Sequence, residues 1–135
     1  YVISKGENMR SIVFGIALLL SAVPGYSMTF EECANYTNEI NKTLPSRVDA
    51  TTRAITTVCL PRAEKNILVF SLEIDTTDAG KIDKDKFAAR VPKIQNMLCT
   101  YPNFSELIKV VDFRYVYRLQ NGVFLGQFDF SEADC

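Results

Sequence analysis

The sequence predicts an α+β domain with the order α-β-β-α-β-β, in which two helices cover one face of a four-stranded, mainly antiparallel sheet and two disulfides staple the whole. Three observations lead there. Two alternating apolar runs flank Asn121-Gly122 near the C-terminus, two β-branched runs flank a polar turn earlier in the chain, and each pair follows a segment with helical periodicity.

Ahead of that domain, Ser11 to Val23 reads SIVFGIALLLSAV, an uncharged apolar run after Met9 and Arg10 and before Pro24, Gly25, Tyr26 and Ser27. The run falls short of the ~20 residues that a membrane-spanning helix needs, and Gly25 and Ser27 supply the small residues of a cleavage site. Residues 9–27 are therefore read as a signal peptide, cut between Ser27 and Met28, and residues 28–135 as one mature domain. Residues 1–8 are read as lying upstream of a translational start at Met9, because Lys5-Gly6-Glu7 can be encoded by a purine-rich stretch like a bacterial ribosome-binding site. Cys33 lies too far beyond the apolar run for a lipoprotein signal, so membrane contact is expected only through the signal peptide before cleavage. The expected destination is the periplasm or the exterior. In a bacterial protein the N-x-S/T triplets at Asn35, Asn41 and Asn103 have no meaning as glycosylation acceptors.

Of 15 Lys/Arg and 16 Asp/Glu, Lys5, Arg10 and Glu7 precede the mature domain, which is left with a net charge of −2. A chain with that charge and no basic stripe is not expected to bind nucleic acid, which is held through phosphate neutralisation. All four cysteines, Cys33, Cys59, Cys99 and Cys135, fall in the mature part, and an even count in an exported domain reads as a disulfide framework. A metal centre is disfavoured because no two cysteines form a chelating pair and the chain has no histidine. Four cysteines allow three connectivities. Pairing Cys33 with Cys59 and Cys99 with Cys135 is preferred, since each bridge then staples one half of the domain.

Taking the elements in order, Thr29-Phe30-Glu31-Glu32 has the form of a capping box, and Phe30, Cys33, Thr37, Ile40 and Leu44 form an apolar stripe in the helix that follows. Leu44-Pro45-Ser46 ends it. Residues 50–60 (ATTRAITTVCL) and 67–74 (ILVFSLEI) read as strands joined through Pro61–Asn66 as an antiparallel hairpin. Phe87, Val91, Ile94 and Leu98 mark a second helix ending at Cys99, kinked or restarted near Arg90 by Pro92. Tyr101–Leu107 is expected to form a helical turn.

The last hairpin can be registered from its turn. With Asn121 and Gly122 as a two-residue turn, Leu119 faces Phe124, Tyr117 faces Gly126, Tyr115 faces Phe128 and Phe113 faces Phe130, an aromatic ladder on the core side. Tyr117 is expected to lie over the bare backbone of Gly126. On the other side Arg114 meets Asp129 as a cross-strand ion pair.

Catalytic chemistry finds little foothold. Without histidine there is no Ser-His-Asp or Cys-His arrangement, and cysteines in disulfides are not nucleophiles. Glu31/Glu32 and Asp83/Asp85 are adjacent carboxylates, but such neighbours at polar helix ends are far more often solvated caps. The loop from Asp75 to Asp85 holds four aspartates, yet it departs from the EF-hand spacing, lacks the closing glutamate and interleaves Lys81, Lys84 and Lys86, so it reads as a solvated linker. No glycine-rich phosphate loop is present. No cofactor is expected and the protein is read as a non-enzyme.

The segments VDATTR, MLCTYP, FRYVYRLQNGVFLGQFDF and the terminal ADC together resemble small secreted or periplasmic proteobacterial domains with a helix-ending cysteine, an aromatic hairpin and a near-terminal cysteine. That resemblance implies pairing of Cys99 with Cys135, and hence of Cys33 with Cys59. A looser similarity is to disulfide-containing periplasmic pilotins, which escort secretion-system subunits and are typically lipoproteins, whereas this sequence shows no lipobox. The resulting expectation is an exported accessory or adaptor that binds another protein through a sheet edge or helix surface. The alternative is an inhibitor or immunity protein that blocks a cell-wall-active enzyme or toxin with loop 61–66 or 75–86.

Overall fold

The computed structural model describes residues 28–135; the expected signal peptide and the residues upstream of it lie outside the described residues. Helix α1 (Phe30–Asn41) starts at a capping box in which Thr29 Oγ1 accepts from the Glu32 amide at 3.1 Å and the Glu32 carboxylate accepts from the Thr29 amide at 3.2 Å. Cys33, Tyr36, Thr37 and Ile40 form its buried face, while Phe30, at the very first turn, projects beyond the core and is 48% exposed. Strands β1 (Ser46–Arg47), β2 (Thr52–Leu60) and β3 (Ile67–Ile74) follow as an antiparallel meander. The chain then crosses over through α2 (Lys84–Ala88), α3 (Arg90–Thr100) and α4 (Pro102–Leu107) before the hairpin of β4 (Asp112–Leu119) and β5 (Phe124–Phe130). The break between α2 and α3 falls at Ala89, which leaves Pro92 in the first turn of α3, where its missing N–H costs no helical bond.

The sheet corrects the expected architecture in two respects. It has five strands in the order β1-β2-β3-β4-β5, and β3 pairs with β4 in parallel, from Ile67 opposite Asp112 to Ile74 opposite Leu119. A parallel pair requires a long crossover, and the Asp75–Val111 segment with its helices provides it. The added strand β1 is only two residues long and lies directly after Pro45, too short to leave an alternating pattern. The helices gather on one face, where residues of α1, α3 and α4 share a core with Leu68, Phe70 and Leu72 of β3 and Phe113, Tyr115 and Tyr117 of β4. The opposite face carries a small apolar cluster of Ile67, Val69 and Val116.

The C-terminal hairpin departs from the two-residue turn. The Gly122 amide donates to the Leu119 carbonyl at 2.9 Å, so Gln120 and Asn121 are the central turn residues and Gly122, with φ of 86°, follows them. A turn with positive φ at both Asn121 and Gly122 is excluded because no residue other than glycine has positive φ among those described. One extra residue, Leu125 of β5, is absorbed opposite the step from Tyr117 to Arg118, and Phe124 pairs with Arg118 instead of Leu119, with the Phe124 side chain 57% exposed. Further along, Tyr117 is opposite Gly126, Tyr115 opposite Phe128, Arg114 opposite Asp129 and Phe113 opposite Phe130. The ring over Gly126 is not that of Tyr117. Phe87 of α2 lies there, 3.0 Å from where a Cβ would sit, and packs edge-on against Tyr117 at 5.2 Å and at a tilt against Phe128 at 5.3 Å.

Cys33 of α1 bonds Cys59 of β2 and clamps helix to sheet, while Cys99 of α3 bonds Cys135 and ties the C-terminal segment beyond β5 to the helix. Each closes a loop long enough to stabilise by roughly 3–4 kcal/mol through restriction of the unfolded chain.

Two outcomes test this packing. Gly126→Ala is expected to cost on the order of 1 kcal/mol in urea unfolding, because the new methyl meets the Phe87 ring, and to cost less when combined with Phe87→Leu. Tyr36 and Tyr115 are wholly buried and Tyr117 nearly so, and burial raises all three phenols above the usual value of 10.0. The unfolded chain therefore loses these protons first as the pH rises, and the stability they contribute below about pH 10 is lost above it. Tyrosinate absorbance is expected to appear in step with unfolding rather than as independent titrations.

Candidate functional site

A cleft opens where the crossover leaves β3. Its first hollow, about 390 Å³, lies between Val48 and Asp49 of the β1–β2 turn, the α2–α3 junction and Tyr117 of β4. Its second, about 430 Å³, runs along the end of β3 and the loop through Lys81, Ile82 and Asp83. Lys86 and Arg90 line both.

Arg90 is the centre of the cleft. Its guanidinium sits over the Tyr117 ring, 5.3 Å from the centroid, and donates to Thr52 Oγ1 at 3.0 Å. Asp49 Oδ2 approaches Arg90 at 3.8 Å, while Asp49 Oδ1 accepts from the Thr51 amide at 2.8 Å and its hydroxyl at 3.1 Å. One carboxylate thus closes the β1–β2 turn and orients the guanidinium above it. Thr52 and Tyr117 are buried, so the arginine rests on a fixed floor. Burial raises the Tyr117 phenol, with Arg90 opposing in part, and the hydroxyl stays protonated and neutral. Lys86 and Lys93 stand exposed at the rim, neither in an ion pair among the described residues, whereas Asp75 on the far wall is held by Arg47 at 2.6 Å. The arrangement offers an apolar floor with an excess of positive charge around it. It can hold an anion beside an apolar group.

The aspartate-rich segment is solvent-exposed over most of its length, as expected of a linker, and Asp75, Thr76, Lys81, Ile82 and Asp83 from it also line the second hollow. Asp78 accepts from the Gly80 amide at 2.9 Å, Asp83 accepts from the Asp85 and Lys86 amides as the cap of α2, and no group of three or more acidic or cysteine side chains converges on a metal-sized site among the described residues. Glu31 and Glu32 lie in the first turn of α1, Glu32 within the capping box. Loop 61–66 is pinned by Arg62, which reaches the Lys65 carbonyl at 3.2 Å and pairs with Asp112. Arg114 grips Asp129 through two bonds, 2.9 and 3.2 Å, on the outer face, away from the cleft. Sequence reasoning missed Arg90 and its lysines, although Lys86, Arg90 and Lys93 recur at four and three along a helical segment, a one-sided cationic stripe.

Three solved structures share this architecture. The pilotin EpsS of the Vibrio vulnificus type 2 secretion system matches with a TM-score of 0.59 at 16% identity, over 78% of this chain and 90% of its own. The fold is pilotin-like. PA3611 of Pseudomonas aeruginosa, provisionally described as secreted, matches at 0.58 and 13% identity over 82% of this chain and 99% of its own. AspS, the type II secretion system pilotin of Vibrio cholerae, matches at 0.55 and 11% identity over 94% and 98%. No protein-family model and no curated protein matches the chain. At these identities the likeness is one of fold, and it bears out the similarity to small secreted and pilotin-like disulfide domains read from the sequence.

Removal of the central guanidinium tests the cleft's internal order. Arg90→Gln is expected to lower stability by about 1 kcal/mol, less than a fully buried charged hydrogen bond because the side chain is 25% exposed. The Asp49→Asn change made on top of it is expected to add little, since the two act together, and a strictly additive double-mutant cycle would contradict the coupling.

Proposed function

We propose that this protein is an exported, non-enzymatic accessory of a secretion apparatus that binds another protein subunit and escorts or places it, working in the periplasm or outside the cell. The observation that carries this reading is the pilotin-like fold shared with EpsS and AspS. The two disulfides support the compartment, because such bridges persist in oxidising surroundings. Among the described residues no helix is long and apolar enough to cross a membrane. The pilotin likeness favours an escort over an inhibitor.

The test is crosslinking of the oxidised protein in envelope extracts of its native bacterium, followed by reconstitution with the purified crosslinked subunit. A one-to-one complex with micromolar or tighter affinity, and mislocalisation of that subunit when the gene is deleted, are the expected results. Unchanged localisation of every secretion-system subunit in the deletion strain would reject the escort role.

A further inference from the structure

The escort reading leaves open what part of the partner is recognised, and the cleft around Arg90 answers in chemical terms. We propose that it binds a segment of the partner protein in which an apolar side chain is flanked by a carboxylate: the apolar group enters the hollow over Tyr117 and Ile94, and the carboxylate meets Arg90, Lys86 and Lys93. This inference rests on the escort reading for the identity of the occupant as a protein.

Charge complementarity selects the occupant. The mature domain carries a net charge of −2, yet the first hollow gathers three cations against Asp49 alone. Neither Lys86 nor Lys93 forms an ion pair among the described residues, and Arg90 engages Thr52 and the Tyr117 hydroxyl, which leaves part of its five N–H donors for a ligand. A guanidinium already fixed over a tyrosine ring loses little freedom when it takes a carboxylate in a two-pronged grip. The buried Val48, Ile94 and Tyr117 make an apolar floor, on which a purely polar anion would leave apolar surface uncovered. A polyanion is a poor fit for the same reasons that disfavour nucleic acid, since the positive charge is local and the surrounding surface is net acidic. The hollow's volume lies at the lower end of the range typical of binding pockets, suited to one side chain and its neighbour rather than to an extended ligand.

The probe is an octapeptide blocked at both ends with Leu-Glu-Phe at its centre, titrated into the exported, oxidised protein and followed by NMR. Saturable shifts are expected at the Arg90 Nε–H, Ile94 methyl and Tyr117 ring signals. The Glu→Gln peptide is expected to bind at least tenfold more weakly, as is the parent peptide to K86E/K93E, whose exposed lysines can change sign without disturbing the core. Absence of saturable shifts up to about 5 mM peptide, above the millimolar affinity that so small a contact supports, overturns the proposal. So does equal binding of the Gln peptide, or shifts confined to β5. The reconstituted partner separates the two readings. If it binds K86E/K93E as tightly as the parent protein, the escort role stands and the cleft is not its dock. If no partner is found while the peptide binds at Arg90, the escort role falls and the acid-and-apolar site stands.

Discussion

The parallel ladder between β3 and β4 places a demand on the rest of the chain, because two neighbouring parallel strands cannot be joined by a turn. The connection must travel the length of the sheet, and in this domain it does so as α2, α3 and α4, all contributing to the helical side. Both ends of the crossover are tied down: the Asp75 amide donates to the Thr51 carbonyl at 2.8 Å as it leaves, and the Asp112 amide donates to the Asn66 carbonyl at 3.0 Å as it returns. The cleft is a by-product of that departure. It lies past the C-terminal end of β3, the place where parallel strands commonly leave a crevice because their helices must turn away from the sheet.

Within the cleft, packing and electrostatics are not separable. Phe87 covers the backbone at Gly126 and supports Tyr117, Tyr117 supports the guanidinium of Arg90, and Arg90 holds the β1–β2 turn through Thr52 and Asp49. A substitution at Gly126, on the far edge strand, therefore reaches the charged centre through only two rings. Such a chain of contacts keeps the cation oriented before anything binds, which is what a recognition site on a small domain needs when few contacts are on offer.

How much of this was readable in the sequence depended on how local each feature is. The ladder from Phe113 opposite Phe130 to Tyr117 opposite Gly126 follows from alternation and from a glycine turn a few residues away, and both are local. The extra residue at Leu125 was not legible, since Asn121-Gly122 fits either a two-residue turn or the end of a longer one in which Gly122 alone has positive φ. The parallel join of the two hairpins was hidden because a hairpin pattern says which strands pair inside it and nothing about its neighbour. One hint was present: Ile67-Leu68-Val69-Phe70 is continuously apolar and continuously buried, the mark of an interior strand covered on both faces, whereas the alternation of 68, 70, 72 and 74 drew attention to one face only. The Arg90 site was obscured because Lys86 was counted among the lysines interleaved with the 75–85 linker and not with the helix that carries Arg90 and Lys93.

The sheet's two edges differ in how far they are covered. On the β2 side, β1 covers one end, and beyond it the Asn41 side chain imitates a strand, its Nδ2 donating to the Thr57 carbonyl at 2.9 Å and its Oδ1 accepting from the Thr57 amide at 2.7 Å. The Cys33–Cys59 bridge and Pro61 follow directly, so that edge is closed to pairing. The β5 edge has no such guard among the described strands, and its start presents Val123 and Phe124 half exposed. The Gln120 amide donates to the Thr76 carbonyl at 3.0 Å, which joins this end of the hairpin to the wall of the second hollow. An apolar rim and a cationic cleft thus lie on connected elements. A partner seated by its carboxylate on Arg90 has apolar surface within reach beyond the second hollow, and the closed β2 edge restricts strand-like association to the side where that surface lies.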